Sequence, residues 1–319
     1  MIKYAIIGAG WRSEFYLKIA ALLPNEFSVS GIYIRNSEKQ KEFAKKYNVK
    51  ICGTLDGLLK TDFDFIVSCV NKDGISDMIK TLTALDIPVL TETPVTDGTL
   101  GGRVQVAEQF HFMPRNQAYK KIIDSGILGE VHSVRLSCCH DYHAASLIRF
   151  FLDTGFEKPE ITSISLIDPV TRYNSRAGYI TPAVIKEEEK IKIFKFKDKT
   201  AVYDFSFEQY FSDIRSSQIN IRGTNGEIVN NTCSYLKDGV PQRFEIYRNT
   251  YGVEESLDGM CLFNITGGGE VLYTNPFPLA RLSDEEIAIA TCLVKMKAYI
   301  KTGEDFYSLK DAEFDCAII

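Results

Sequence analysis

The chain has no apolar run of 18 residues, no Cys-x-x-Cys pair and no basic patch of the kind a phosphate backbone needs, the lysines of 190–199 reading as the wet face of a hairpin. The first absence excludes a membrane-spanning helix, the second a zinc ribbon or thioredoxin-type motif, and the third direct binding to a nucleic-acid backbone. No basic and then apolar leader precedes the first strand, which points to a cytoplasmic protein. Histidine is scarce at four residues, and His111, His140 and His143 fall near the expected domain junctions. The eight cysteines lie mostly in apolar runs and read as small buried hydrophobes. Adjacent Cys138 and Cys139 would point to opposite faces of a strand, which argues against a redox pair. What is present is ordinary for a globular protein: 319 residues, 45% hydrophobic and 25% charged, with a formal net charge of -5. That length suits two medium cores.

Tyr4 to Asn36 organises the rest. Tyr4-Ala5-Ile6-Ile7 stops at Gly8-Ala9-Gly10-Trp11-Arg12-Ser13, a helical pattern runs to Leu23 before Pro24, and Phe27 to Ile34 is apolar again. Strand, glycine turn, helix and strand make the first unit of a dinucleotide-binding fold. Gly8 makes the tight turn, Gly10 clears space for a pyrophosphate, Ser13 takes the third glycine's place, and the helix N-terminus favours phosphate. Phe15, Ile19, Leu22 and Leu23 are expected to face the sheet. The second strand ends at Arg35-Asn36 without the carboxylate that would accept from a ribose hydroxyl. Arg35 beside a small polar residue suits a 2'-phosphate, favouring NADP over NAD, or is a solvated strand end.

Further alternation follows: a helix from Ser37 to about Tyr47, a strand at 49–52, a short helix at 54–59, a strand at Phe63 to Val70, a helix at 75–85 and a strand at 88–90. This is a doubly wound parallel sheet. Only eight residues lie between Val95 and the next strand at Val104, too few for a crossover helix. A crossover helix is missing, so either this edge is rebuilt or the sequence lacks a piece here.

Pro114-Arg115 opens a helix over 116–125, Val131 to Cys138 alternates, and Ala144 to Leu152 is an apolar helix behind Cys139-His140-Asp141-Tyr142-His143. His143 is an acid/base candidate or a structural histidine, and His140, Asp141 and His143 lack a third metal ligand by spacing, so no metal is expected. A strand spans 161–167, and 168–181 reads as a polar, aromatic loop, suited to closing over a substrate or to an oligomer contact. Residues 191–207 form a hairpin, and 217–222, 227–230, 243–247 and 270–273 add antiparallel strands, with a turn at 264–269. Ser283-Asp284-Glu285-Glu286 is a capping box for a last long helix. The reading is an N-terminal Rossmann doubly wound parallel sheet, residues 1–115 with a hinge at 111–115. A C-terminal α+β domain with a large, mostly antiparallel sheet follows over 116–319. The open face of that sheet suggests a homodimer or homotetramer.

Taken together the chain resembles the Gfo/Idh/MocA family, named for glucose-fructose oxidoreductase, inositol dehydrogenase and rhizopine catabolism. The resemblance rests on Ala5-Ile6-Ile7-Gly8-Ala9-Gly10, Glu92-Thr93-Pro94, Glu108 to Arg115 and Gly126 to Val131. It also rests on His143 ahead of its helix, Arg222-Gly223-Thr224-Asn225-Gly226 and Tyr299 to Gly303. It implies an NAD(P)-dependent oxidoreductase passing hydride between nicotinamide and a sugar, cyclitol or related polyhydroxy compound. Cofactor contacts implied are Gly8, Ala9, Gly10, Trp11, Arg12, Arg35, Asn36, Cys69, Asn71, Glu92 and Gln109, with His143, Tyr142 and Thr93 at the catalytic positions. Glu92 and Gln109 read equally well as surface residues. The chain departs from the family where Thr93 replaces the usual lysine, Cys69-Val70-Asn71 replaces Thr-Pro-Asn, and Gly74, Cys139 and Ser146 replace a histidine, an aspartate and a second carboxylate beside the active-site histidine. These departures support an alternative: a non-catalytic dinucleotide- or sugar-binding sensor or scaffold.

Overall fold

The structure, a computed structural model, describes residues 1–252 and 261–319. Two compact units divide it: Met1–Pro114 with Asn249–Asn264 and Thr274–Ala317, and Arg115–Arg248 with Ile265–Tyr273 and Ile318–Ile319. No helix among the described residues is long and apolar enough to cross a membrane.

The first unit alternates as β1 (Ile2–Ile7), α1 (Trp11–Leu22), β2 (Phe27–Tyr33), α2 (Ser37–Lys46), β3 (Ile51–Cys52), α3 (Leu55–Leu59), β4 (Phe65–Ser68), α4 (Ile75–Thr83), β5 (Val89–Thr91) and β6 (Val104–Val106). The strands form one parallel sheet in the order β3-β2-β1-β4-β5-β6. Because both faces of a parallel sheet are covered, its strands are continuous apolar runs: Phe65, Ile66 and Val67 are all solvent-inaccessible. Helix α1 buries Ile19, as its periodicity suggests, but otherwise turns a different face inward. Ser13, Tyr16, Leu17 and Ile19 are buried, whereas Phe15 is partly covered and Leu22 is exposed. The helix serves β2 and a later helix at once, so its buried stripe is displaced from a simple sheet-facing one.

The second unit holds α5 (Pro114–Asp124), β7 (Val131–Ser137), α6 (Asp141–Leu152), β8 (Glu160–Ser175), β9 (Gly178–Lys195), β10 (Thr200–Ser206), β11 (Gln218–Gly223), β12 (Gly226–Val229), β13 (Thr232–Lys237) and β14 (Val240–Glu245). Its eight-stranded sheet runs β14-β13-β12-β11-β7-β10-β9-β8, antiparallel except for β10 beside β7. Val134, Leu136, Ala201, Tyr203, Ile219 and Ile221 share one face by register and are buried, with α6 against β7. The stretch 168–181 is no loop. Its residues pair from Asp168↔Glu187 to Ser175↔Gly178, and the turn is confined to 176–177. Polar and aromatic residues on a ribbon with wet faces look like loop composition, and cross-strand pairing overrides that signal.

β15 (Tyr247–Thr250), β16 (Leu262–Gly267) and β17 (Glu270–Thr274) form a three-stranded sheet, so 264–267 is strand and the turn shrinks to 268–269. α7 (Asp284–Thr302) and α8 (Leu309–Ala317) close the chain. Both helices belong to the first unit, although they lie far beyond the 111–115 hinge in sequence. The capping box of α7 forms, with the Ser283 N–H donating to Glu286 and the Glu286 N–H donating to Ser283 Oγ. Helix α8 resolves the short connection after β5. β6 pairs in parallel with β5 without a crossover helix between them, and α8 packs on β6 instead. Tyr307, Leu309 and Ala312 join the cluster that holds Val95, Val104 and Val106. Gln105 fixes this return: its Oε1 accepts from the N–H groups of Phe306 and Tyr307 at 2.9 and 3.0 Å, and its Nε2 donates to Asp305. The Val106 N–H donates to the Tyr307 carbonyl at 2.9 Å.

Candidate functional sites

In the first unit β1 delivers the chain to Gly8, whose N–H donates to the Tyr33 carbonyl while the Cys69 N–H donates to the Ile7 carbonyl. The turn therefore sits against both neighbours of β1. Gly8 has φ +112, and a Cβ there would lie 2.5 Å from the Cys69 carbonyl oxygen. Only glycine fits. Gly10 is the N-cap of α1 at φ -90 and ψ 175, and, its chain neighbours aside, a Cβ on it would meet no described residue within 4 Å. Space beside an uncapped helix N-terminus is what a pyrophosphate needs. Ser13 is buried, and its hydroxyl folds back onto the Gly10 carbonyl at 2.7 Å, so it packs in place of a third glycine.

Behind the turn lies a charged network. The Arg12 Nε is 3.1 Å from Glu92 and its Nη1 is 2.8 Å from Glu285, while Tyr16 donates to the other Glu92 oxygen. Gln109 Nε2 donates to Glu285 at 3.3 Å. Burial opposes the Arg12 charge, yet Glu92 and Glu285 outweigh it and keep the guanidinium protonated. Burial pushes the Glu92 carboxyl up, against the pull of Arg12 and Tyr16. Glu108, fully buried and accepting from the Phe110 N–H, is raised to about 7 by burial, with His111 acting in the opposite sense. Arg12 also lies 4.4 Å over the half-exposed Trp11 ring. Thus Arg12 buttresses the turn through two carboxylates.

The other residues expected around a cofactor fall at the carboxyl ends of these strands. Ala9 is partly covered, Cys69 is buried after β4, and Asn71 is exposed as the N-cap of a 3-10 turn. Thr93 is half-buried two residues after β5. Arg35 is exposed after β2, and Asn36 caps α2 by accepting from the N–H groups of Glu38 and Lys39. Two buried side-chain oxygens here, Ser68 Oγ and Gln109 Oε1, have no hydrogen-bond partner among the described residues. Orphaned acceptors beside an open helix N-terminus fit a polar ligand that supplies the missing bonds.

In the second unit β7 ends at Ser137 and α6 begins at Asp141, so Cys138, Cys139 and His140 form the bend between them. The His140 N–H donates to Tyr210 Oη at 2.9 Å, and Nδ1 of the same residue lies 2.8 Å from that hydroxyl. Nε2 is 3.3 Å from Tyr142 Oη. The Nε2–H tautomer satisfies this set: Tyr210 donates to Nδ1, and Nε2–H donates to Tyr142. Burial, then the neighbouring His143, lowers the His140 pKa to about 4, against the pull of Asp141. The ring is therefore neutral near pH 7. His143 is 4% exposed, with its ring 4.4 Å from Tyr142 and 5.1 Å from His140. Asp141, at φ +38, donates its N–H to Tyr203 and pairs with Lys190 at 3.3 Å. Among the described residues no group of three or more histidine, cysteine or acidic side chains is placed to hold a metal.

His140, Tyr142 and His143 thus come together, and so do Gly8, Gly10, Arg12, Glu92 and Gln109. Sequence reasoning missed Tyr16, Glu285, Tyr203, Tyr210 and Lys190. Tyr16 was within reach, being four residues from Arg12 on one helix face. Tyr210 and Glu285 carry no local signal, because only the folded chain brings them to residues 70 and 273 positions away.

Residues 2–111 match the family described as oxidoreductase family, NAD-binding Rossmann fold, of the Gfo/Idh/MocA group. An oxidoreductase from Agrobacterium radiobacter, solved with NAD+, L-tartaric acid and magnesium, superposes with a TM-score of 0.66 at 14% identity, covering 99% of this chain and 94% of that one. A levoglucosan dehydrogenase solved with NADH and levoglucosan gives 0.66 at 14%, covering 99% and 96%. These likenesses show the fold. Among curated proteins, an L-aspartate dehydrogenase of Methanococcus maripaludis is 25% identical over 203 residues, covering 60% of this chain and 72% of that protein.

Proposed function

We propose that the chain, whose residues 2–111 match the Gfo/Idh/MocA oxidoreductase family, is an NAD(P)-dependent oxidoreductase acting on a small polyhydroxy compound. The observation that carries this reading is the turn at Gly8 to Gly10, closed by the Cys69 carbonyl on one side and open at Gly10 on the other. NAD or NADP bound there supplies the hydride acceptor or donor. Gly10 admits the pyrophosphate, Arg12 and Glu92 hold the turn, and Gln109 offers its orphaned oxygen. Structural relatives solved with NAD+ or NADH favour NAD, and exposed Arg35 without a neighbouring carboxylate favours NADP. In this reading residues 1–115 bind the dinucleotide, and 116–319 supply the proton-exchanging groups and the oligomer surface. His143, His140 and Tyr142 are the groups for the substrate proton. Neutral His140 donates through Nε2–H to Tyr142 and so passes a proton on, a role Thr93, lacking charge, does not fill alone. Exposed Ile164, Leu166 and Val184 on the β8–β9 ribbon suit a homodimer or homotetramer contact.

The substrate class has a second reading. The aspartate dehydrogenase relatives favour an amino acid, oxidised at the C–N rather than the C–O bond. Thr93 in place of lysine keeps the sensor or scaffold alternative in view. Titration of the full chain with NAD+, NADH, NADP+ and NADPH, followed through Trp11 fluorescence, separates them. Micromolar affinity, followed by turnover of a polyol panel or of L-aspartate, supports the enzyme and names the class. Absence of binding up to millimolar dinucleotide overturns hydride transfer, and tight binding without turnover of either class favours the sensor.

A further inference from the structure

On a strand, neighbouring cysteines diverge, but Cys138 and Cys139 lie beyond the end of β7, in the bend that precedes α6. There the two sulfurs approach to 3.8 Å. Both are thiols, Cys139 fully buried and Cys138 partly exposed. Tyr119, Tyr203 and Tyr210 lie close enough to interact electrostatically with one or both thiols. The next residue is His140, whose N–H and Nδ1 both engage Tyr210.

We infer that Cys138 and Cys139 form a redox-active vicinal dithiol that reacts with low-molecular-weight disulfides and, on closing, displaces the start of α6 at His140. The partly exposed Cys138 is the entry point. As thiolate it attacks one sulfur of R–S–S–R, forming Cys138–S–S–R and releasing RS⁻. Cys139, already in contact, loses its proton and attacks the Cys138 sulfur, forming the Cys138–Cys139 bond and releasing the second RS⁻. Two protein thiols are oxidised and one small disulfide is reduced to two thiols, with the two protons passing to the released thiolates. Burial of Cys139 makes it the resolving thiol. A bulky disulfide does not reach it first.

Closure strains the bend. Consecutive Cα atoms are about 3.8 Å apart across a trans peptide, whereas disulfide-linked Cα atoms usually lie about 4.4–6.8 Å apart. A strained disulfide is oxidising and readily reduced, the behaviour of a reversible device rather than a structural staple. The distortion is delivered one residue from His140, where the N–H to Tyr210 bond fixes the helix start. The dithiol also matches trivalent arsenicals, which bridge two adjacent thiolates.

Trypsin makes the test clean, because cleavage after Arg135 and Arg149 releases Leu136 to Arg149, which contains Cys138 and Cys139 and no other cysteine. The reduced full chain is equilibrated with oxidised glutathione, alkylated under denaturing conditions and mapped. The expected result is a peptide lighter by two hydrogen atoms, unalkylated, restored by dithiothreitol, with two of the eight thiols lost. Hydrogen exchange of the same segment in the folded chain should rise after closure and fall again on reduction. One equivalent of phenylarsine oxide should block both alkylations. Cys138→Ser, at the partly exposed position, should abolish the mass loss while leaving the circular dichroism unchanged, and Cys139→Ser should trap a glutathione adduct on Cys138. A persistent glutathione adduct in the unsubstituted chain, or an alkylated Leu136 to Arg149 peptide at every glutathione ratio, overturns the dithiol. Closure without a change in exchange overturns its reach to His140.

Discussion

Both units place their suggestive chemistry between a strand and a helix, and the two junctions have nearly the same backbone. Gly10 caps α1 at φ -90 and ψ 175, His140 caps α6 at φ -83 and ψ 149, and neither caps its helix with a side chain. They differ in what stands in front. Apart from its chain neighbours, no described residue lies within 4 Å of a Cβ built on Gly10. At the second junction the N–H groups of His140 and Asp141 are already taken by the hydroxyls of Tyr210 and Tyr203. One junction is open in front, and the other is filled by side chains that hold a neutral imidazole. A helix N-terminus by itself does not define a binding site; what occupies its donors does.

The largest effect expected breaks the first junction. Gly8→Ala combines a left-handed φ with a 2.5 Å approach to the Cys69 carbonyl, so it should lower stability by about 3–4 kcal/mol in urea denaturation. Gly10→Ala two residues away has room. It should change stability by less than about 1 kcal/mol and weaken dinucleotide binding by about tenfold or more. Equal stability losses for the two would show that Gly10 is constrained by the fold and is not kept clear for a ligand.

The contrast between junctions also explains what the sequence revealed. Gly8-Ala9-Gly10 was legible because its conformation and its neighbours, β1 and α1, are set within a dozen residues. The capping box at Ser283 and Glu286 was legible for the same reason. Cys138 and Cys139 were misread because two residues of strand length decide whether their sulfurs diverge or meet. The short connection before Val104 signalled a rebuilt sheet edge but not what rebuilds it: the helix that covers β6 arrives about 200 residues later, through Gln105. Tyr210 reaches His140 from the 3-10 turn at Phe207–Phe211, beyond any local pattern.

A pH experiment sharpens the comparison at the filled junction. His140 has its folded pKa lowered from 6.5 to about 4, chiefly by burial. The unfolded chain therefore binds the extra proton first, and stability is retained above pH 6.5 and lost as pH falls toward 4. The loss should be about 2 kcal/mol, less than the whole shift because the ring is partly exposed to solvent. His140→Gln should flatten the dependence of Tm on pH across this window. At the open junction Glu108 works with the opposite sign: its carboxyl is raised from 4.5 to about 7, so its contribution is present below pH 4.5 and fades as pH rises through 7. An unchanged slope in His140→Gln would mean that the imidazole is solvated in the folded chain.

The smallest effect concerns what fills the second junction. Tyr210 Oη accepts from the His140 N–H and donates to its Nδ1, so Tyr210→Phe removes two bonds while keeping the ring that packs 4.9 Å from Phe205. Packing is conserved, so the cost is that of two unmet groups on a partly covered residue, about 1–2 kcal/mol. The same substitution leaves the His140 N–H unclaimed at the start of α6, which makes this junction more like the one at Gly10. Hydrogen exchange at the His140 amide should accelerate, while the amides of Trp11 and Arg12 keep their rates. If instead the His140 amide stays protected in Tyr210→Phe, another acceptor holds it, and the difference between the two junctions lies in the surrounding chain and not in the tyrosine.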